Sequence, residues 1–173
     1  MKEYLNIIIP ASVTIIGFMV TYYLTKRNFK EEISKQKISI LLGEMSMVPM
    51  EILGLMDKIL DKKDSKIILS DFKSLMARIF AYGTKDAIAL VSNMQELNYR
   101  IASDPETADK SKIIAYYILL VCQIKYDLTG IKINPEYWYK MRLTDYINMR
   151  VNLVNANNEV VKNLKLERFL DIK

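Results

Sequence analysis

The chain has 173 residues, 51% of them hydrophobic and 26% charged, with a net charge of +5, no histidine and one cysteine. A histidine-free chain has no Ser-His-Asp or Cys-His arrangement, no imidazole metal ligand and no imidazole pH switch. One cysteine closes no intramolecular disulfide and builds no thiolate zinc site, and 5 Gly with 4 Pro are too few for a loop-rich or collagen-like chain.

The first element is the most apolar. Tyr4 to Thr25, YLNIIIPASVTIIGFMVTYYLT, runs 22 residues without a charge. At 1.5 Å per residue that is about 33 Å, against a hydrocarbon core of about 30 Å. Tyr4 stands at one end and Tyr22 and Tyr23 at the other, where amphipathic rings favour the headgroup region. Pro10 lies inside the span, where it removes one backbone donor and favours a kink. A cleaved signal peptide wants a basic start, a shorter apolar core and a small-x-small cleavage site. Here Lys2 is offset by Glu3 and the run ends in Tyr-Tyr-Leu-Thr-Lys-Arg. Core helices of globular proteins rarely run so far without a charge. The expectation is a transmembrane anchor over residues 1–25.

Lys26, Arg27, Lys30, Lys35 and Lys37 follow the span, against Glu31 and Glu32. The positive-inside rule then places the N-terminus outside and residues 26–173 in the cytoplasm of a single-pass protein of the cell membrane. The lone Cys122 fits a reducing compartment. The same five basic residues are candidates for contact with anionic headgroups, at about 1 kcal/mol per side chain. They contribute most of the net charge, so little positive charge is left for a nucleic-acid face on the remainder.

Residues 26–173 suit one helical domain. The membrane helix is expected to continue to about Met47, with Ile33, Ile38, Leu41, Leu42 and Met45 as an apolar stripe, until Pro49 breaks it. Met50 to Leu60 forms a second amphipathic stretch and Asp61 to Lys66 reads as a loop. Ser70 or Asp71 is expected to cap the next helix, which carries Phe72, Leu75, Met76, Ile79 and Phe80 at helical spacing. Gly83 then suits a left-handed helix end, Thr84 an N-cap and Asp86 the first turn of the following helix. Asp104-Pro105-Glu106 and Asn134-Pro135-Glu136 each read as a cap, a Pro at the first helical position and an acid facing the dipole. Ile113 to Ile124 has 12 residues without a charge, too short for a second crossing. It is predicted to be the central buried helix, with Gln123 and Tyr117 needing partners and Gly130 ending it. Ile147 to Leu153 alternates like a strand but also keeps helical spacing through Ile147, Val151 and Val154. A lone strand has no partner, so the segment is read as helical. The fold class expected is all-α.

On the segments Tyr82-Gly83-Thr84-Lys85-Asp86-Ala87-Ile88 and Gln123-Ile124-Lys125-Tyr126-Asp127-Leu128-Thr129-Gly130, the chain resembles a family of poorly characterised bacterial single-pass membrane proteins. Pro135-Glu136-Tyr137-Trp138 and Arg142-Leu143-Thr144-Asp145-Tyr146 extend the likeness, Tyr126 departs from the basic residue expected there, and residues from Ile147 lie beyond it. The resemblance implies a membrane helix ahead of a small cytoplasmic helical domain and brings no catalytic residues.

Chemistry is sparse. The carboxylate pairs Glu31-Glu32, Asp57 with Asp61, and Glu167 with Asp171 are interleaved with Lys and Arg and read as solvated faces. Cys122 lies in an apolar helix and reads as a small hydrophobe. No phosphate-binding glycine loop or nucleophile-elbow motif occurs. Tyr137, Trp138 and Tyr139 form the densest aromatic cluster, either a partner platform or core packing. No catalytic, cofactor or metal residues are assigned. The expectation is a non-enzymatic membrane-anchored adaptor or scaffold, whose partners are the lipid bilayer and a protein or second copy, with no nucleic acid. The alternative is a phage-defence or superinfection-exclusion component acting on membrane integrity, which a membrane-potential dye would discriminate.

Overall fold

The computed structural model describes residues 2–60, 65–104 and 109–173, and no strand occurs among them. The order is α1 (Lys2–Met45), α2 (Val48–Leu60), α3 (Ser65–Tyr82), α4 (Lys85–Ser103), α5 (Lys110–Thr129), α6 (Glu136–Arg142) and α7 (Tyr146–Leu164), then a 3-10 turn at Arg168–Leu170. The chain divides into two compact units between Leu41 and Leu42. The first is helical, an unbroken stretch of α1 that runs through Pro10 and past residue 25 without interruption.

The second unit, Leu42–Lys173, is a helical bundle built around α5. Helices α2, α4 and α7 pack against α5, while α3 bridges α2 and α4. Ala115 to Leu120 and Cys122 to Ile124 are all buried, so α5 is covered on every side, as its uncharged run predicts. The turn Ser46-Met47 separates α1 from α2 and puts Pro49 in the first turn of α2, where a missing N–H does no harm. Met45 and Val48, on either side of that turn, are both buried in the bundle core.

The helix ends refine the reading. Thr84 is the N-cap of α4, its hydroxyl accepting from Ala87 N at 3.4 Å. Gly130 ends α5 with φ 70°, its N–H donating to Tyr126 O at 2.7 Å. Asn134 Oδ1 accepts from Glu136 N at 2.9 Å and Pro135 takes helical angles, as expected of that construction.

Three details differ. Ser70 and Asp71 do not start α3, which begins at Ser65 within the expected loop; residues 61–64 of that loop lie outside the described residues. Asp71 pairs with Lys58 Nζ at 2.6 Å instead of a backbone N–H. Gly83 is not left-handed. It is required because a Cβ there would sit 2.5 Å from Ile79 O, the carbonyl its own N–H meets at 2.7 Å. Asp104 closes α4 by donating to Arg100 O, and Asp109 caps α5 by accepting from Lys112 N at 3.1 Å. Pro105 and Glu106 lie outside the described residues, and with them the capping role expected of Asp104. Finally, Ile147 and Val151 belong to a helix but not to its core face: Ile147 is 87% exposed, while Tyr146, Leu153, Asn157 and Val160 point inward.

Candidate functional site

Two kinds of surface compete for a functional role, the apolar helix and the polar joints of the bundle. Along α1, nine large apolar side chains from Val13 to Leu24 are each between 50 and 72% exposed. At 100° per residue they cover about two-thirds of the circumference, Thr14, Gly17 and Thr21 take the rest, and every residue of the stretch is exposed. Each would release roughly 1.5–3 kcal/mol if covered, on the order of 15 kcal/mol together. Among the described residues this is the one helix long and apolar enough to cross a membrane, by length and composition.

The predicted collar follows directly. Lys26, Arg27, Lys30, Lys35 and Lys37 are all exposed on α1. Lys26 Nζ lies 5.9 Å from the centroid of the Tyr22 ring, and Arg27 Nε pairs with Glu31 at 3.2 Å. Lys26, Lys30 and Lys37 share a face by helical spacing, whereas Arg27 and Lys35 point elsewhere, so the charge spreads over about half of the helix circumference.

The predicted aromatic cluster separates into three environments. Tyr139 is fully buried, stacked on Tyr146 at 6.2 Å and edge-on to Trp138 at 6.2 Å, and burial pushes its hydroxyl above the ordinary tyrosine range. It is therefore core and not a contact for a partner. Trp138 is half-buried beside Leu53 in a cleft bordered by Asp57 and Arg142. Only Tyr137, 64% exposed, presents its ring to solvent.

The segments carrying the family likeness turn out to be polar joints. Thr84 Oγ1 donates to Asp127 Oδ2 at 2.6 Å and Gln123 Nε2 donates to Asp127 Oδ1 at 2.8 Å. This ties the α3–α4 corner to the last turns of α5, where a carboxylate opposes the helix dipole and needs donors. Gln123 Oε1, the other end of that amide, accepts no hydrogen bond from the described residues. Tyr117 packs its ring against Phe72 at 6.5 Å, and burial pushes its hydroxyl up to about 12.

The second joint links α6 to α7. Glu136 Oε1 accepts from Tyr146 Oη at 2.7 Å and Arg150 Nε at 3.1 Å, and Lys140 Nζ lies 3.1 Å from Oε2. The Tyr146 hydroxyl, aided by Lys140 and Arg150, holds the Glu136 carboxyl below its ordinary range despite partial burial. Burial, then the hydrogen bond to Glu136, pushes Tyr146 up to about 12.

Sequence reasoning missed a third joint. Asn157, fully buried, donates to Leu170 O at 2.8 Å; Asn158 both donates to Ile172 O and accepts from Ile172 N. Asn134 adds a bond to Asp171 O, and Leu170 and Ile172 fill the core. The available signal was three asparagines, Asn155, Asn157 and Asn158, inside a helix they do not favour.

Cys122 is buried and its thiol is pushed up to about 12 by burial, which removes the thiolate a nucleophile needs. One carboxylate of each predicted pair faces a cation: Asp57 meets Arg142, Glu31 meets Arg27, and Glu167 meets Lys132 at 3.3 Å. Asp61 lies outside the described residues. Among the described residues, no three His, Cys, Asp or Glu side chains converge as metal ligands.

No family model, curated protein or solved structure matches this chain, so the roles of these residues rest on their geometry.

Proposed function

We propose that the protein is a non-enzymatic, membrane-anchored adaptor or scaffold: α1 crosses the membrane and the bundle is held at its cytoplasmic face for protein partners. One observation carries the reading, the uniform exposure of the apolar side chains from Val13 to Leu24. Water leaves such a surface unsatisfied all round, and hydrocarbon covers all of it at once. The five basic residues beginning at Lys26 support the orientation, with the N-terminus outside. Tethering confines the bundle to two dimensions and raises its effective concentration for partners in the same plane. Asp127, Glu136 and Asn157 are each held in a joint of the bundle, which supports a binding role over a reaction.

The test is extraction of cell membranes with alkaline carbonate, combined with thiol labelling of a Lys35→Cys variant in intact cells. The native Cys122 is buried and gives little background. Retention in the membrane, with labelling only after permeabilisation, is the expected result. Release into the wash overturns the anchor, and labelling of intact cells overturns the orientation.

A further inference from the structure

The part of α1 beyond the apolar span poses a problem that the membrane does not solve. Phe29, Ile33 and Ile40 are 62, 36 and 60% exposed, yet they follow Lys26 and Arg27, so they stand clear of the hydrocarbon. Ile40 lies 15 residues past Thr25, about 22 Å along the helix axis.

Their spacing is heptad. Ile15, Tyr22, Phe29 and Gln36 recur every seven residues, and Met19, Lys26, Ile33 and Ile40 do the same four residues later. These are the d and a positions of one seam running from the apolar span into the stretch beyond it. The two polar members have locations that suit them: Lys26 at the end of the uncharged run, and Gln36 where an amide can bond across the seam. In this register Glu32 takes the g position and Lys37 the e position of the next heptad. Residues so placed face each other between parallel helices, g of one with e of the other, five residues on. Both are exposed and neither is in an ion pair among the described residues, whereas the neighbouring Glu31 is held by Arg27.

We infer that α1 pairs with α1 of a second copy as a parallel coiled coil along Ile15–Ile40, with Glu32 of each chain meeting Lys37 of the other. The inference rests on the anchor reading above, because copies inserted the same way bring equivalent residues to equal height above the membrane. That alignment makes the pairing parallel and in register at little additional ordering cost. Charge complementarity at Glu32 and Lys37 then selects a second copy as the occupant of the seam.

Disulfide scanning of the full chain in native membranes tests this, with single cysteines placed at Phe29, Ile33, Gln36 and Ile40 and, for contrast, at Ser34 and Lys35. Dimer is expected to form on mild oxidation at the first four positions and not at the last two. A Glu32→Lys variant should lower the crosslinked fraction about threefold to fivefold, and adding Lys37→Glu to the same chain should restore it. Crosslinking that is absent, or equal at all positions, overturns the pairing. Loss without restoration in the charge-swapped chain overturns the register. Carbonate extraction of the same membranes separates the two readings. A retained chain that does not crosslink leaves the anchor standing and the coil refuted, whereas a released chain refutes both.

Discussion

The uncharged stretches of α1 and α5 have nearly the same chemistry and opposite surroundings. Ile113 to Ile124 is covered by α2, α4 and α7, with Ile118, Leu119 and Leu120 wholly buried. Val13 to Leu24 is exposed along its whole length. Hydrophobicity dictates that both be removed from water; length and neighbours decide by what. A run of 12 residues fits inside a bundle about as wide as the helix is long, whereas 22 residues match a bilayer. Punctuation reinforces this, since α5 lies between Asp109 and Gly130 as caps, while α1 passes residue 25 with no cap at all.

Substitutions that separate bundle stability from membrane retention break or sharpen this contrast. The largest effect is expected from Leu119→Ala, which opens a cavity at the centre of the bundle and should cost about 2–5 kcal/mol in denaturant unfolding, with membrane retention unchanged. Ile16→Arg is the reciprocal experiment. It should disfavour insertion by about 3 kcal/mol, read as protein released by carbonate, and leave unfolding of the bundle untouched. If Ile16→Arg destabilised the bundle instead, α1 would be a misplaced core helix and the contrast would fail. Asp127→Ala strands the Thr84 hydroxyl and the Gln123 amide and should cost about 1–3 kcal/mol in the same unfolding assay. Lys165→Gly should stabilise by about 0.5–1 kcal/mol, because Lys165 holds φ 54° at the end of α7, a conformation that suits glycine.

The pH profile of unfolding bears on the bundle alone. Glu136 is lowered in the folded state, so its stabilisation is present above the ordinary carboxyl range and lost as pH falls through its folded value. Tyr117 and Tyr146 are raised to about 12, so theirs is present below about pH 10 and lost as pH climbs from there through about 12. Cys122, also raised to about 12, adds a loss that begins near the ordinary thiol value, so with no histidine to titrate stability should be level from about pH 6 to 8. Tyr146→Phe should move the acid limb to higher pH by removing the donor that Glu136 relies on.

Much of this was legible in one dimension. The uncharged runs, the Thr84 and Asn134 caps and the Gly130 stop are local devices, each satisfied within about four residues, and local devices can be read from spacing. The Gly83 reading failed because glycine serves both left-handed turns and close approaches, and only the position of Ile79 O distinguishes them. Asp71 failed because an acidic residue before an apolar run caps a helix only if no better partner or earlier start is available. At Tyr137, Trp138 and Tyr139, adjacent aromatics received three different burials, which composition cannot apportion.

From sequence alone came the all-helical class, the apolar length of the first helix and the basic collar, because these depend on residue type and period. Tertiary structure alone decided which helices cover the uncharged run of α5. It also brought Thr84 to Asp127, Glu136 to Tyr146 and Asn157 to Leu170, pairs 43, 10 and 13 residues apart. Such joints depend on where helices cross, and the crossing is set by the packing of the whole bundle around α5 and not by any one segment.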